Sequence, residues 1–175
     1  MAVTGFASNV ARLDTVARAA KAAGRRVALV GRSMQKMVAA ARETGYLKDM
    51  PPVLDEAEVA DLPPHKVLYL CTGSQGEPRA ALARIADNKH PNVRLSQGDT
   101  VIFSSRVIPG NELAIAEIQN KLAARGIALL TAEDHHVHVS GHPCRDELAE
   151  MYRWIRPQLA LPVHGEMRHQ VSHAA

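Results

Sequence analysis

Histidine and serine alternate in the stretch Val137 to Pro143, which reads Val-His-Val-Ser-Gly-His-Pro. In an extended segment successive side chains point to opposite faces, so His138, Ser140 and His142 are predicted to share one face. Two imidazoles beside a hydroxyl offer several hydrogen-bond donors to a phosphate oxygen. Because four of the nine histidines lie within Asp134 to His142, we expect a phosphate-binding segment here.

A further histidine, His164, follows the apolar run Leu159 to Val163. Apolar residues at helical spacing predict a helix over Asp146 to Arg156, and the run after it is typical of a buried strand. His164 would then leave that strand at its carboxyl end, the edge where open α/β sheets bind ligands. Zinc needs three or four protein ligands, and no His-x-His-x-Asp-His cluster stands in this sequence to complete them.

The composition is that of an ordinary globular protein, with 46% hydrophobic and 22% charged residues among 175. No apolar run approaches the roughly 20 residues of a membrane helix, and the amino terminus has no signal-peptide pattern. The two cysteines, Cys71 and Cys144, form no Cys-x-x-Cys motif, which favours reduced thiols. We therefore expect a soluble, cytoplasmic protein without a membrane partner.

Positive charge is concentrated in the first 50 residues, which hold nine Lys and Arg against three Asp and Glu. This excess could attract a polyanion, although solvated helix surfaces explain the same count. Two Phe, three Tyr and one Trp are too few to hold single strands mainly by base stacking. If nucleic acid binds, its phosphate backbone is the expected contact.

Strand and helix patterns alternate along the chain before the histidine-containing segment 137–143, which is typical of parallel βαβ units. At most a short strand or turn is expected in the Pro-rich connection, near Val53 to Val59. We predict a three-layer α/β fold with a mostly parallel sheet and helices on both faces. The other predicted elements are helices starting at a Ser8 or Asn9 cap, at a Ser33 cap, at Pro78 and at Asn111, and strands over 26–31, 66–71, 100–104 and 126–130.

A glycine-bearing loop, Thr72-Gly73-Ser74-Gln75-Gly76-Glu77-Pro78, lies between a predicted strand and a predicted helix. Free backbone N–H groups at a helix amino terminus attract anions, so the loop could cradle a phosphate. It matches neither the Walker pattern nor the dinucleotide fingerprint. An ordinary turn between strand and helix explains it equally well.

Seven motifs, in order along nearly the whole chain, resemble the β-CASP part of bacterial ribonuclease J, a family of the RNA-processing metallo-β-lactamase superfamily. The motifs are Phe-Ala-Ser-Asn at 6–9, Val-Gly-Arg-Ser at 30–33, Thr-Gly-Ser-Gln-Gly-Glu-Pro at 72–78, Gly-Asp-Thr-Val-Ile-Phe-Ser-Ser at 98–105, Ile-Pro-Gly-Asn-Glu at 108–112, His-Val-Ser-Gly-His at 138–142 and Pro-Val-His-Gly-Glu at 162–166.

The resemblance implies a zinc-dependent ribonuclease that hydrolyses RNA phosphodiester bonds from the 5′ end and internally, with two zinc ions. It implies that His142 is catalytic and contacts the scissile phosphate, that His138 and Ser140 complete the phosphate grip, and that His164 is a metal ligand. The substrate-cleft residues that it implies are Ser8, Asn9, Ser74, Gln75, Gly76 and Glu77.

The chain departs from the family pattern, because the zinc cluster, the upstream acidic motif, motif A and the carboxyl-terminal domain are not in the sequence. We expect residues 1–133 to form a β-CASP domain and residues 134–175 to return to the metallo-β-lactamase domain of a longer enzyme. The expected partners are RNA and the remainder of that domain, and the parent enzyme is expected to be a homo-oligomer. Alone, this polypeptide is expected neither to hold two zinc ions nor to cleave RNA.

Two other functions fit parts of the sequence. The chain could be a non-catalytic α/β module that binds a mononucleotide or a partner protein, in which case its histidines are structural. It could also belong to a metallo-β-lactamase-like hydrolase of a small molecule, but the β-CASP motifs favour a nucleic-acid substrate.

Overall fold

The computed structural model describes residues 1–59, 61–163 and 165–174. Two compact units follow one another along the chain, the first spanning Met1–Val139 and the second starting at Ser140. The boundary expected after residue 133 concerns the domains of a longer enzyme and stays a prediction.

Six parallel strands form one sheet in the first unit, which confirms the predicted α/β fold. They are β1 (Ala2–Thr4), β2 (Arg26–Val30), β3 (Val53–Asp55), β4 (Val67–Cys71), β5 (Thr100–Phe103) and β6 (Ala128–Leu130). In space their order is β3, β2, β4, β1, β5, β6. The first strand of the chain therefore lies near the middle of the sheet, between β4 and β5.

Helices cover both faces of the sheet, as predicted. They are α1 (Val10–Ala22), α2 (Arg32–Glu43), α3 (Ala81–Ala86) and α4 (Glu112–Ala124). α1 and α2 pack with Leu29 and Leu70 on one face, whereas α3 and α4 pack with Val30 and Cys71 on the other. Because both faces are covered, the central strands carry apolar side chains on both sides. Burial of the Cys71 thiol raises its pKa to about 12.

Two helix starts differ from the prediction. α2 begins at Arg32 after Gly31, without a side-chain cap, so Ser33 lies inside the first turn, where its hydroxyl cannot act as the cap. α3 begins at Ala81 and not at Pro78, because the amide of Ala80 donates to the carbonyl of Glu77 at 3.0 Å and closes a turn there. α1 starts as expected, with the Asn9 side chain accepting from the Arg12 amide at 3.1 Å.

The second unit consists of helices α5 (Arg145–Ile155) and α6 (Met167–Ala174) with irregular segments around them. Tyr152 on α5 and His173 on α6 are joined by a 2.7 Å hydrogen bond between Oη and Nε2. The strand predicted over Leu159 to Val163 is wrong: this run is irregular, and its leucines are exposed. A strand needs a hydrogen-bonded neighbour, and the described residues provide none for this run.

No helix within the described part of the chain is long and apolar enough to span a membrane.

Candidate nucleic-acid interface

The loops after β1, β4, β5 and β6 lie at the carboxyl edge of the parallel sheet. Neighbouring strands β1 and β5 send their helices to opposite faces, since α1 packs on one side and α4 on the other. Such a divergence opens a crevice at the carboxyl ends of the strands, which is where open α/β sheets bind ligands. The first unit therefore has a preferred edge for a ligand.

Three basic side chains gather at this edge, and we call them the basic cluster: Arg12, Arg106 and His138. Arg12 lies in the first turn of α1, Arg106 in the loop after β5, and His138 in the segment after β6. Both arginines are close enough to His138 for their charges to affect its pKa. The buried Arg12 Nε and His138 Nδ1 atoms have no hydrogen-bond partner among the described residues.

The ionisation of His138 reflects this setting. Its pKa is lowered, first by partial burial and then by the positive charge of Arg12, with a smaller contribution from Arg106; a hydrogen bond with the backbone of Ser104 acts in the opposite direction. A buried polar atom without a partner costs about 1–3 kcal/mol. A bound phosphate would supply acceptors to the cluster and favour the protonated imidazole.

Ser104 fixes the backbone that carries His138. Its hydroxyl donates to the carbonyl of Val137 at 2.6 Å, and its amide donates to the carbonyl of Thr4 at 2.8 Å. Ser104 is itself buried. The end of β1, the end of β5 and the segment before His138 are thereby connected through one residue.

The side chain of Gln75 holds the loop that carries Arg106. Its Nε2 donates to the carbonyl of Arg106 at 2.9 Å, while its Oε1 accepts from the amide of Ile108 at 2.9 Å and from Asn111 Nδ2 at 3.2 Å. These contacts occupy the amide group within the protein. The expected contact of Gln75 with substrate stays a prediction. The structure adds that Gln75 positions the loop that carries Arg106.

The other predicted cleft residues lie along the same edge. Ser74 and Gly76 are buried, and a Cβ on Gly76 would lie 2.6 Å from that of Ala114, so the loop packs directly on α4. The exposed Glu77 carboxylate accepts a hydrogen bond from the backbone amide of Gln75 at 3.0 Å. Ser8 is exposed, and it precedes the Asn9 cap that fixes the turn carrying Arg12.

Ser140 and His142 belong to the second unit and contact each other. The amide of His142 donates to the hydroxyl of Ser140 at 3.1 Å, and the His142 side chain is exposed. No strand forms over 137–143, and a bend at Gly141 and His142 interrupts the expected alternation of faces. The convergence of His138, Ser140 and His142 stays a prediction, and His164 lies outside the described residues.

The described residues do not form a metal centre by themselves. Across 1–59, 61–163 and 165–174, no three His, Cys, Asp or Glu side chains are gathered closely enough to hold an ion. Zinc sites in proteins use three or four such ligands. The described residues therefore do not fit a zinc ion.

The sequence pattern did not single out Arg12 or Arg106 as functional residues. A signal was present for Arg106, which comes directly after Ser-Ser at the end of the predicted strand 100–104. Arg12 follows β1 (Ala2–Thr4), a strand that the sequence pattern did not predict. A basic residue soon after a parallel strand is placed at the edge where an anion would bind.

Comparison with known proteins gives a consistent result over both units. A family model described as "Ribonuclease J, beta-CASP domain" matches residues 1–122, and one described as "Zn-dependent metallo-hydrolase RNA specificity domain" matches residues 130–175.

Relatives named Ribonuclease J are similar over nearly the whole chain. The protein from Sinorhizobium meliloti is 52% identical over 98% of this chain and 30% of its own length. Those from Mycolicibacterium smegmatis and Thermus thermophilus are each 45% identical, over 99% and 97% of this chain and 31% and 30% of their own lengths. The chain thus spans about 30% of the length of these curated relatives.

Proposed function

Because the chain belongs to the ribonuclease J β-CASP family, as its motifs predicted, we propose that it is the RNA-binding part of a ribonuclease that hydrolyses phosphodiester bonds. The names of the two matching domain families and of the relatives support this proposal. The observation that carries it is the basic cluster of Arg12, Arg106 and His138 at the carboxyl edge of the sheet.

The cluster suits a phosphate of the RNA backbone. A guanidinium presents a planar fork of donors that matches two phosphate oxygens, and such charge-assisted hydrogen bonds are stronger than neutral ones. Phosphate contacts position a nucleic acid without reading its sequence. We therefore propose that the first unit fixes the path of the RNA strand and leaves base identity largely unread.

In this proposal His142 contacts the scissile phosphate, and Ser140 assists it. The hydrogen bond from the His142 amide to the Ser140 hydroxyl at 3.1 Å supports a joint role, because it fixes the backbone of the two residues relative to each other. We expect His142→Ala to abolish RNA cleavage by the full-length enzyme without unfolding it. Loss of folded protein would instead indicate a structural histidine.

Zinc belongs to the proposal through the family, whose second domain description names a Zn-dependent metallo-hydrolase. We propose two zinc ions in the full-length enzyme, with His164 as one of their ligands. The described residues form no such centre by themselves. Cytoplasmic location and homo-oligomeric assembly are parts of the same proposal.

A binding experiment tests the role of the basic cluster. Fluorescence anisotropy with a labelled single-stranded oligouridylate would compare the unmodified chain with the double variant Arg12→Gln, Arg106→Gln. The control is Lys21→Gln, Arg26→Gln, which removes the same charge from exposed positions away from the carboxyl edge. We expect the cluster variant to bind at least about tenfold more weakly than the control. Equal affinities would overturn the proposal.

A further inference from the structure

A second crevice lies at the carboxyl ends of β2 and β4, on the other side of the sheet centre from the basic cluster. It has a volume of about 750 Å³, and Gly31 and Thr72 form its floor where the two strands end. α2 leaves β2 toward one face and α3 follows β4 on the other. The two strands therefore diverge here in the way that opens ligand sites in α/β sheets.

Close approach of the two strand ends depends on glycine. Gly31 has φ +111°, and a Cβ at this position would lie 2.6 Å from Thr72 Oγ1. Any other residue would both strain the backbone and overlap the Thr72 side chain. The close approach of the two strand ends at the floor of the crevice therefore depends on Gly31.

Four basic side chains line the crevice, and we call them the crevice basics: Arg32, Lys36, Arg79 and Arg84. They come from two helices and the turn between β4 and α3, yet none forms an ion pair with another residue in the described part of the chain. α2 also starts here, with no side-chain cap and no acidic residue in its first turn. Its free amides and dipole add to the positive potential.

The two carboxylates that line the crevice already accept hydrogen bonds from within the protein. Glu56 accepts from Asn92 Nδ2 at 3.1 Å and lies 3.6 Å from His90 Nε2. Glu77 accepts from the amide of Gln75 at 3.0 Å. Their internal partners offset part of their negative charge, so the four crevice basics give the lining a net positive charge.

The crevice offers no platform for a base. Its lining contains no Phe, Tyr or Trp, and His90 is buried beneath it. A mononucleotide site would need apolar or aromatic surface for the base, whereas a phosphate backbone needs only cations. The opposite crevice, beside β5 and β6, carries Glu112, Glu133 and Asp134 against the single cation Arg106. Charge therefore favours the crevice at β2 and β4 over the crevice at β5 and β6 as a second polyanion site, in addition to the basic cluster.

We propose that the crevice between the carboxyl ends of β2 and β4 is a second RNA-backbone site, in which Arg32, Lys36, Arg79 and Arg84 bind phosphates without reading bases. This second site rests on the proposed RNA-binding function and extends that function. The basic cluster lies between β1 and β5, two strand spacings or roughly 10 Å away, so one RNA strand can contact both.

The test compares two triple variants of the whole 175-residue polypeptide. Lys36→Gln, Arg79→Gln, Arg84→Gln removes three crevice charges, and Lys21→Gln, Arg26→Gln, Lys66→Gln removes three exposed charges away from the carboxyl edge. Oligouridylate binding is measured over a series of salt concentrations, with circular dichroism to check folding. Each lost phosphate contact should reduce the slope of log affinity against log salt by about 0.7, hence by about 2 in total.

We expect the slope of the crevice variant to be smaller by this amount and its affinity to be at least about tenfold weaker. The control variant should keep the slope and the affinity of the unmodified chain. Equal behaviour of the two variants, with binding still dependent on Arg12 and Arg106, would overturn the second site and leave the proposed function standing. An unmodified chain that binds no RNA would overturn both. If uridine monophosphate competes as well per phosphate as the oligomer does, the crevice is a mononucleotide site and the inference is wrong.

Discussion

Gln75 Nε2 donates to the carbonyl of Arg106 at 2.9 Å, so the loop after β4 holds the loop after β5 across the intervening strand β1. Gln75 Oε1 accepts two more hydrogen bonds from the same loop, from the Ile108 amide and Asn111 Nδ2. The position of the Arg106 guanidinium therefore depends on a buried amide that is more than thirty residues away in sequence.

Replacing Gln75 should destabilise the first unit. Gln75→Ala removes three part-buried hydrogen bonds, to the carbonyl of Arg106, the amide of Ile108 and the side chain of Asn111, and each is worth about 0.5–1.5 kcal/mol. We expect the free energy of unfolding in urea to fall by about 2–4 kcal/mol. Gln97→Ala removes an exposed glutamine amide that makes no hydrogen bond among the described residues, and it should change stability by less than about 0.5 kcal/mol.

The variant Gln75→Glu separates the two halves of this contact. A carboxylate can still accept from Ile108 and Asn111, but it cannot donate to the carbonyl of Arg106. We expect it to be less stable than the unmodified chain and to bind oligouridylate more weakly, because Arg106 loses its anchor. Unchanged stability in both Gln75 variants would show that this contact does not hold the loop.

Much of the fold could be predicted because its signals are local. The apolar run from Val27 to Val30 and the Asn9 cap each specify an element from a few neighbouring residues, and the alternation of such elements indicates a parallel sheet. The run Leu159 to Val163 carries the same local signal but forms no strand. Strand pairing depends on a neighbour as well as on propensity, so a local pattern cannot establish it.

The basic cluster could not be predicted in the same way, because it depends on strand order. Arg12 and Arg106 are far apart in sequence and both come near His138 because β1 inserts beside β5. Sequence pattern indicates that strands exist but not which strands are neighbours. His138 could be predicted as a functional residue from its residue type. The placement of Arg12 and Arg106 beside it depends on the strand order, which the sequence pattern does not indicate.

The pKa of His138 should respond to both the cluster and RNA. Arg12→Gln removes a positive charge that lowers this pKa, so the pKa should rise in the variant, whereas Arg26→Gln should leave it unchanged. Bound oligouridylate should raise it further, because phosphate favours the imidazolium. Nuclear magnetic resonance titration of the imidazole measures both changes. A His138 pKa that is insensitive to Arg12 and to RNA would contradict the cluster.

The same shift predicts tighter RNA binding at lower pH. If phosphate raises the pKa of His138, binding takes up a proton, and affinity must increase as pH falls from the raised pKa of the bound state to the lowered pKa of the free state. We expect affinity at pH 6 to exceed that at pH 8, and His138→Asn to reduce the difference. Isothermal calorimetry in buffers of different ionisation enthalpy measures the proton uptake directly.

His90 should make the stability of the first unit pH-dependent. Its Nδ1 accepts from the amides of Val93 and Asn92 at 3.2 and 3.4 Å, which requires the neutral ring. The pKa of His90 is lowered mainly by burial and also by Arg84, against an opposing effect of Glu56. A lowered folded-state pKa contributes stability that is present above about pH 6.5 and is lost as pH falls through the folded value.

Urea unfolding at pH 7.5 and pH 5 tests this contribution. We expect the unmodified chain to be less stable at pH 5, and His90→Asn to show a smaller difference, because the Asn oxygen can accept from the same amides without titrating. His65→Asn is the control, since His65 is exposed. An identical pH dependence in all three proteins would exclude His90 as the source.

Two glycines separate backbone strain from steric overlap. Gly76 and Gly98 have similar positive φ values of +79° and +86°, but a Cβ on Gly76 would lie 2.7 Å from the Ala114 backbone carbon, whereas one on Gly98 would meet nothing within 4 Å. Gly98→Ala should therefore cost only the strain of a positive φ, about 1 kcal/mol.

Gly76→Ala must bear that strain and also move α4 away from the loop. We expect it to lower the free energy of unfolding by about 3 kcal/mol or more. It should also weaken oligouridylate binding, because the displaced loop carries the Gln75 side chain that holds Arg106. Urea unfolding and anisotropy on the two variants measure both effects, and equal losses for Gly76→Ala and Gly98→Ala would show that packing of this loop on α4 does not position the cluster.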